Sequence, residues 1–150
     1  MRSATEGRRR QVGSVLARIL ITNETDLTNS TNGLIPSDAV RRVELDGVLV
    51  DTGATLLSLP KEMLDALGLR FSREVAVETA TGTAIARMFT GALLSVEGRE
   101  TSVPVLELPG GSQPLLGVTP LAILGIELDL RHQRLVLLPD QDSRTYLLIL

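Results

Sequence analysis

The stretch Val48-Leu49-Val50-Asp51-Thr52-Gly53-Ala54-Thr55 ends an apolar run on a single carboxylate and turns immediately through Thr-Gly. A carboxylate at the end of an apolar strand is costly to bury alone, so it needs a partner or a purpose. Gly53 lets backbone approach closely, and the Thr52 hydroxyl can bridge to a neighbouring chain. Asp-x-Gly is also ordinary turn chemistry, so the triplet alone leaves a simple turn and a catalytic carboxylate both open. The flanks tip the balance. Three apolar residues precede Asp51, a small residue and Thr55 follow Gly53, and an apolar-apolar-Gly triplet, Leu115-Leu116-Gly117, stands downstream.

Other chemistries are poorly served. The chain has no cysteine, which removes disulfides, thiol catalysis and cysteine-ligated metals. Its single histidine, His132, cannot build a multi-histidine metal site, and no G-x-S-x-G elbow accompanies it. The single lysine, Lys61, lies in no phosphate-binding G-x-x-x-x-G-K loop. Phe71, Phe89 and Tyr146 are the only aromatics, too few for a platform that stacks nucleic-acid bases. Carboxylates remain, with no metal and no cofactor expected. His132 reads as a solvated turn residue, and Asp129, Asp140 and Asp142 as surface or turn carboxylates.

The elements that must position Asp51 are mostly strands. Val15 to Thr22 is an apolar, β-branched run. Residues 23–38 are dense in Asn, Thr, Ser and Asp and read as a surface loop. Val40 to Leu45 alternates, Asp46-Gly47 signals a tight hairpin turn, and Val48 to Val50 leads into Asp51. Pro60 opens a short helix over Lys61 to Leu67 that Gly68 stops. Val75 to Thr79 and Thr83 to Phe89 form strands around Thr81-Gly82. Leu93 to Val96 and Thr101 to Leu108 form another pair around Glu97-Gly98. A second short helix begins near Thr119-Pro120 and ends at Gly125, and Ile126 to Asp129 pairs with Arg134 to Leu138. Short strands with frequent turns imply an all-β, closed or sandwich-like fold with two short helices.

This arrangement resembles the retropepsin family: viral aspartic proteases and their cellular relatives, including the protease-like domain of ubiquitin-shuttle proteins. VLVDTGAT at 48–55, TATGTAIA at 79–86 and PLLGVTPLAILG at 114–125 match its strand-to-D-T-G-A entry, its flap hairpin and its apolar-apolar-Gly element before a helix. The match runs from about Val40 to Leu138. It implies a retropepsin-like closed β-barrel and an aspartic endopeptidase.

With one D-T-G in 150 residues, the second acid must come from another copy, so the resemblance implies a homodimer with Asp51 on both sides of the two-fold axis. By the same resemblance, Asp51, Thr52 and Gly53 are the catalytic triplet, with Thr52 cross-bracing the two loops. Ala54, Thr55 and Leu56 line the substrate site, with Leu57 as a further pocket candidate, and Thr81, Gly82 and Thr83 form the flap tip. Because the flap hairpin is taken to carry no aromatic residue, pockets lined by Leu and Ile are expected. The apolar tail Tyr146 to Leu150 fits an interface strand. The alternative is a non-proteolytic dimerisation or peptide-binding module on the same fold.

Net charge is −3, yet residues 1–11 carry four arginines against one glutamate. They read as a flexible basic arm ahead of a protease domain over 12–150. Arg18 interrupts the apolar stretch that a signal peptide would need, and no run of about 18 apolar residues occurs. A cytoplasmic protein with a peptide or protein substrate, no membrane partner and no nucleic-acid partner is the expectation.

Overall fold

In β1 (Val15–Asn23) burial alternates with a period of two: Val15, Ala17, Ile19 and Ile21 point inward, while Leu16 and Arg18 face out. This is the pattern of a strand with one face on a core. The structure, a computed structural model, describes residues 14–139. The basic arm over 1–11 and the tail Tyr146 to Leu150 lie outside the described residues.

Along the chain come α1 (Glu24–Thr31), a 3-10 turn (Ser37–Ala39), β2 (Arg42–Val50), β3 (Leu57–Pro60) and α2 (Lys61–Leu67). After these are β4 (Arg70–Thr79), β5 (Gly82–Val96), β6 (Arg99–Leu108), β7 (Leu115–Leu116), α3 (Val118–Ile123), β8 (Ile126–Asp129) and β9 (Arg134–Leu137). The main sheet runs β1-β2-β7-β3-β6-β5-β4, and β1 also pairs with β5. That extra pairing closes six strands into a ring and leaves β4 outside it, attached only to β5. The expected all-β barrel is therefore present. Its interior holds Ile19, Ile21, Val50, Leu57, Leu59, Leu94, Val105 and Leu116, joined from outside the ring by Leu64, Leu67 and Leu121 on the helices. Each such side chain taken from water contributes about 1.5–3 kcal/mol.

Two local expectations change. Asp46-Gly47 does not turn the chain back. Ala17 faces Val48 and Ile19 faces Leu45, so the two residues bulge opposite Arg18 within one continuous β2. Gly47 sits at φ +64°, which fits a bulge that needs a left-handed residue. The same dipeptide serves either purpose, and closure of the barrel decides it. Residues 23–38, expected as loop, contain α1. Asn23 caps that helix, its side chain accepting from the Asp26 N–H at 2.9 Å, and Glu24 and Asp26 suit the positive end of the helix. The polar composition that suggested a loop is also the composition of a capped surface helix.

Asn23 and Asp26 form a polar junction. The Asn23 amide donates to the Leu67 carbonyl at 2.8 Å, tying the end of β1 to the end of α2. Buried Asp26 accepts from the Arg41 N–H (3.0 Å), Nε (2.8 Å) and Nη2 (3.0 Å). These bonds to the Arg41 side chain and backbone hold its carboxyl below the ordinary value of 3.8. A depressed folded pKa means this stabilisation is fully present above that ordinary value and is lost as pH falls through the folded one. Asp26→Asn is expected to cost about 1.5–3 kcal/mol at neutral pH and to flatten the loss of stability below about pH 4. Urea denaturation at pH 7 and pH 3 checks this, and identical pH slopes for both proteins would refute it.

Candidate active site

Strands β2 and β3 are joined by residues 51–56, yet they are not neighbours. The two residues of β7 lie between them, parallel to β2 (Leu49 with Leu115, Val50 with Leu116) and antiparallel to β3 (Leu57 with Leu116). The Asp51 loop therefore bridges over the end of β7 and is stitched to the residues that leave that strand. The Asp51 N–H donates to the Leu116 carbonyl and the Gly117 N–H to the Leu56 carbonyl, both at 3.0 Å. The Val118 and Thr119 N–H groups donate to the Ala54 and Thr55 carbonyls at 3.1 Å. These are the first N–H groups of α3, which has no side-chain cap. The loop satisfies donors that a helix start otherwise leaves open.

Within the loop, the Ala54 N–H closes a turn onto the Asp51 carbonyl at 3.0 Å, and the Gly53 N–H donates to Asp51 Oδ1 at 2.9 Å. A Cβ on Gly53 would stand 3.3 Å from that oxygen, so the glycine keeps space beside the carboxylate. Among the described residues, Gly53 supplies the only hydrogen bond to the Asp51 carboxylate, which makes no ion pair. Thr52, Gly53 and Thr55 are exposed, while Asp51, Ala54 and Leu56 are half-buried. The Thr52 hydroxyl has no partner among the described residues. Leu57 is fully buried in the core. It cannot line an open pocket, because it occupies the inner face of β3.

A family model described as aspartyl protease matches residues 28–128, more than half of the chain and the whole of this geometry. The chain belongs to the retropepsin-like aspartyl proteases. A search of curated proteins finds no match.

The second segment expected in such a protease is the β4–β5 hairpin. Thr79 pairs with Gly82, leaving Ala80 and Thr81 as the tip. Thr79 Oγ1 donates to the Gly82 carbonyl at 2.6 Å, and Thr83 Oγ1 donates to Glu78 Oε1 at 2.9 Å. Thr81, Gly82 and Thr83 are exposed, and their hydrogen bonds stay within the hairpin. The structure thus joins the Asp51 loop to Leu116–Thr119, while no hydrogen bond or ion pair joins it to the tip among the described residues. Both phenylalanines lie at the hairpin's base, facing each other across the two strands as Phe71 and Phe89. Expecting a hairpin with no aromatics missed this, because only its tip was considered.

The remaining candidates fall where turn residues belong. His132 is exposed on the β8–β9 turn, its N–H and Nδ1 bonded to Asp129 at 3.1 and 2.8 Å. Those bonds, with Arg134 behind them, hold the Asp129 carboxyl below its ordinary value. Asp140 and Asp142 lie outside the described residues. Among the described residues no three His, Cys, Asp or Glu side chains gather as a metal site would require. No described helix is long and apolar enough to cross a membrane.

The tightest constraint on this aspartyl protease site is Gly117. A Cβ there would fall 2.4 Å from the Thr55 carbonyl carbon and 2.6 Å from the Leu56 N and O. The clash is with backbone, which cannot swing aside. Gly117→Ala is expected to destabilise by about 1–3 kcal/mol and to loosen the Asp51 loop. Thermal melting with amide exchange at residues 51–56 reads both, and a variant matching wild type in both would refute the constraint.

Proposed function

We propose that this protein is an aspartic endopeptidase that works as a homodimer, hydrolysing peptide bonds with a water held between Asp51 of one copy and Asp51 of the other. The observation that carries the reading is the Asp51 loop itself. A carboxylate stands on a loop fixed by four backbone hydrogen bonds, with one donor from its own chain and open space beside it. A turn carboxylate of purely structural use would spend its oxygens on its own fold, as Asp26 does. Asp51 does not.

The chemistry comes from pairing. Two carboxylates brought face to face cannot both ionise cheaply, so they share a proton. The ionised one takes a proton from the bound water as that water attacks the scissile carbonyl carbon. The protonated one donates a hydrogen bond to the carbonyl oxygen, stabilising the charge that develops there. The tetrahedral intermediate then collapses as the carboxyl that took the water's proton gives it to the departing amine nitrogen, which returns the pair to one shared proton. No covalent bond to the protein forms, which suits a chain whose site has no activated nucleophile. Thr52, exposed and without a partner among the described residues, is free to brace the opposite loop. Gly53, Ala54, Thr55 and Leu56 offer the rim on which an extended peptide lies. The hairpin tip at Thr81, Gly82 and Thr83 closes over it and excludes water.

Cleavage of a complex peptide mixture, read by mass spectrometry between pH 4 and 7, tests this. Wild type is expected to generate cuts that Asp51→Asn loses by about 10²–10⁴-fold. Cuts made equally by both would exclude Asp51, and no cuts from folded, dimeric wild type would leave a peptide-binding module. Because the site is shared, activity per mole should rise with protein concentration. Excess Asp51→Asn should also suppress wild type beyond simple dilution. Activity strictly proportional to concentration and indifferent to the added variant would place both acids elsewhere.

A further inference from the structure

The β4–β5 hairpin leaves the barrel at a place the register marks. The β5–β6 ladder pairs Met88 with Leu106 and Phe89 with Val105, and no pair continues it toward the tip. Each hairpin strand breaks register at the same level, β4 between Phe71 and Arg73 and β5 between Phe89 and Ala92. Gly91, in the second break, has φ +95°. From Glu74 and Arg87 outward, β4 and β5 have only each other. The hairpin is thus a two-stranded arm rooted in a pair of bulges, and an isolated pair of strands is weakly held by its ladder alone.

One side chain spans that root. The Arg87 guanidinium carbon lies 4.8 Å from the Phe71 ring centroid and 5.2 Å from that of Phe89. The rings meet edge to face at 5.9 Å. Arg87 Nη1 also reaches Glu107 Oε2 on β6 at 3.6 Å. Arg87 is the first residue past the last β5–β6 pair, so its side chain extends the contact where the backbone ladder has stopped. The charged groups around Glu107 are Arg87 and Lys61, whose own ammonium is paired with Asp65 at 2.7 Å. Phe89 is buried among core residues and Phe71 is 44% exposed. The guanidinium therefore ties the free strand to the barrel through a ring on each side.

We infer that Arg87 is a positioning residue that clamps the root of the hairpin and sets how readily the flap closes on substrate. This rests on the endopeptidase reading for its consequence, though not for the clamp itself. A loosened arm must be ordered again each time it closes. That ordering is required equally in the bound complex and in the transition state, so its loss is one of uniform binding and raises KM while leaving kcat near its value. A merely structural role would instead lower the amount of active enzyme, reducing kcat with KM unchanged.

Three variants separate the contributions. Arg87→Met keeps a long apolar stem and loses the charge. Arg87→Lys keeps the charge and loses the flat group that stacks on the rings. Glu107→Gln removes the ion pair alone, which is partly exposed and weak. Amide hydrogen exchange by mass spectrometry reads the clamp without any need for activity. In Arg87→Met, exchange over residues 73–86 is expected to accelerate about five- to thirty-fold. β1 and the part of β6 before Leu106 should keep wild-type protection. Arg87→Lys should fall between the two, and Glu107→Gln should stay nearest wild type. Peptide hydrolysis should show KM rising by a similar factor in the same order. Unchanged exchange over 73–86 in Arg87→Met overturns the inference, as does protection lost throughout the barrel or a fall in kcat at constant KM. Localised acceleration in a protein whose wild type cuts nothing keeps the clamp and removes the endopeptidase instead.

Discussion

The functional end of this barrel depends on a strand of two residues. Leu115 and Leu116 wedge between β2 and β3, which the chain connects directly through the Asp51 loop. A loop that spans an intervening strand cannot fold onto its own ends, so its backbone groups need partners from elsewhere. They find them in the residues after β7, and those residues in turn begin α3 without a side-chain cap. One set of hydrogen bonds thus answers two needs, open carbonyls in the loop and open N–H groups at the helix start. Gly117 is the point where the two backbones touch, and only a residue without a side chain permits the contact. The loop is held still by backbone bonds, and the Asp51 carboxylate accepts only the Gly53 N–H at Oδ1, which leaves Oδ2 available for chemistry.

The opposite arrangement governs Asp26. There the carboxylate is spent on the fold, with three donors from Arg41 closing a junction where β1, α1 and the end of α2 meet through Asn23. Arg99 plays a comparable part for the C-terminal hairpin. Its guanidinium donates to the carbonyls of Leu124, Gly125 and Leu138, so the exit of α3 and the end of β9 hang from the first residue of β6. Both junctions occur where the closed ring of strands must accept elements outside it. A charged group that satisfies several carbonyls or N–H groups at once does this with less chain than a further strand would need.

How much of this was legible in the residues depends on the range of each interaction. The Asp51 segment was readable because a run of local features agreed: an apolar strand, a carboxylate, a Thr-Gly turn and a later Leu-Leu-Gly. The hairpin at Glu97-Gly98 was readable for the same reason, with both turn residues at positive φ. Asp46-Gly47 carried an equally good local signal and misled, because whether such a pair turns or bulges depends on β1 lying opposite it. Helix α1 was hidden since its Asn, Thr and Ser content matches a loop, although Asn23 followed by Glu24 and Asp26 was a cap in plain sight. Leu57 looked like a pocket residue from its place beside the D-T-G turn. Only the pairing of β3 with both β6 and β7 places it in the core.

The barrel and its arm divide along the same line. The ring closes because β1 pairs with both β2 and β5, and past Met88 β5 leaves it with β4 as its ladder partner. Beyond that point the chain gives up burial: Val75, Val77, Ala86 and Met88 are half-covered, and Ile85 is 66% exposed. Apolar side chains left this open on a two-stranded arm gain little from the fold they belong to and would gain more from a surface laid against them. A rigid ring that fixes Asp51 and an arm that remains under-buried until something lies beneath it are complementary. The first needs a closed ladder, the second needs that ladder to stop, and it stops at the Met88–Leu106 pair, just past the bulges at Phe71–Arg73 and Phe89–Ala92.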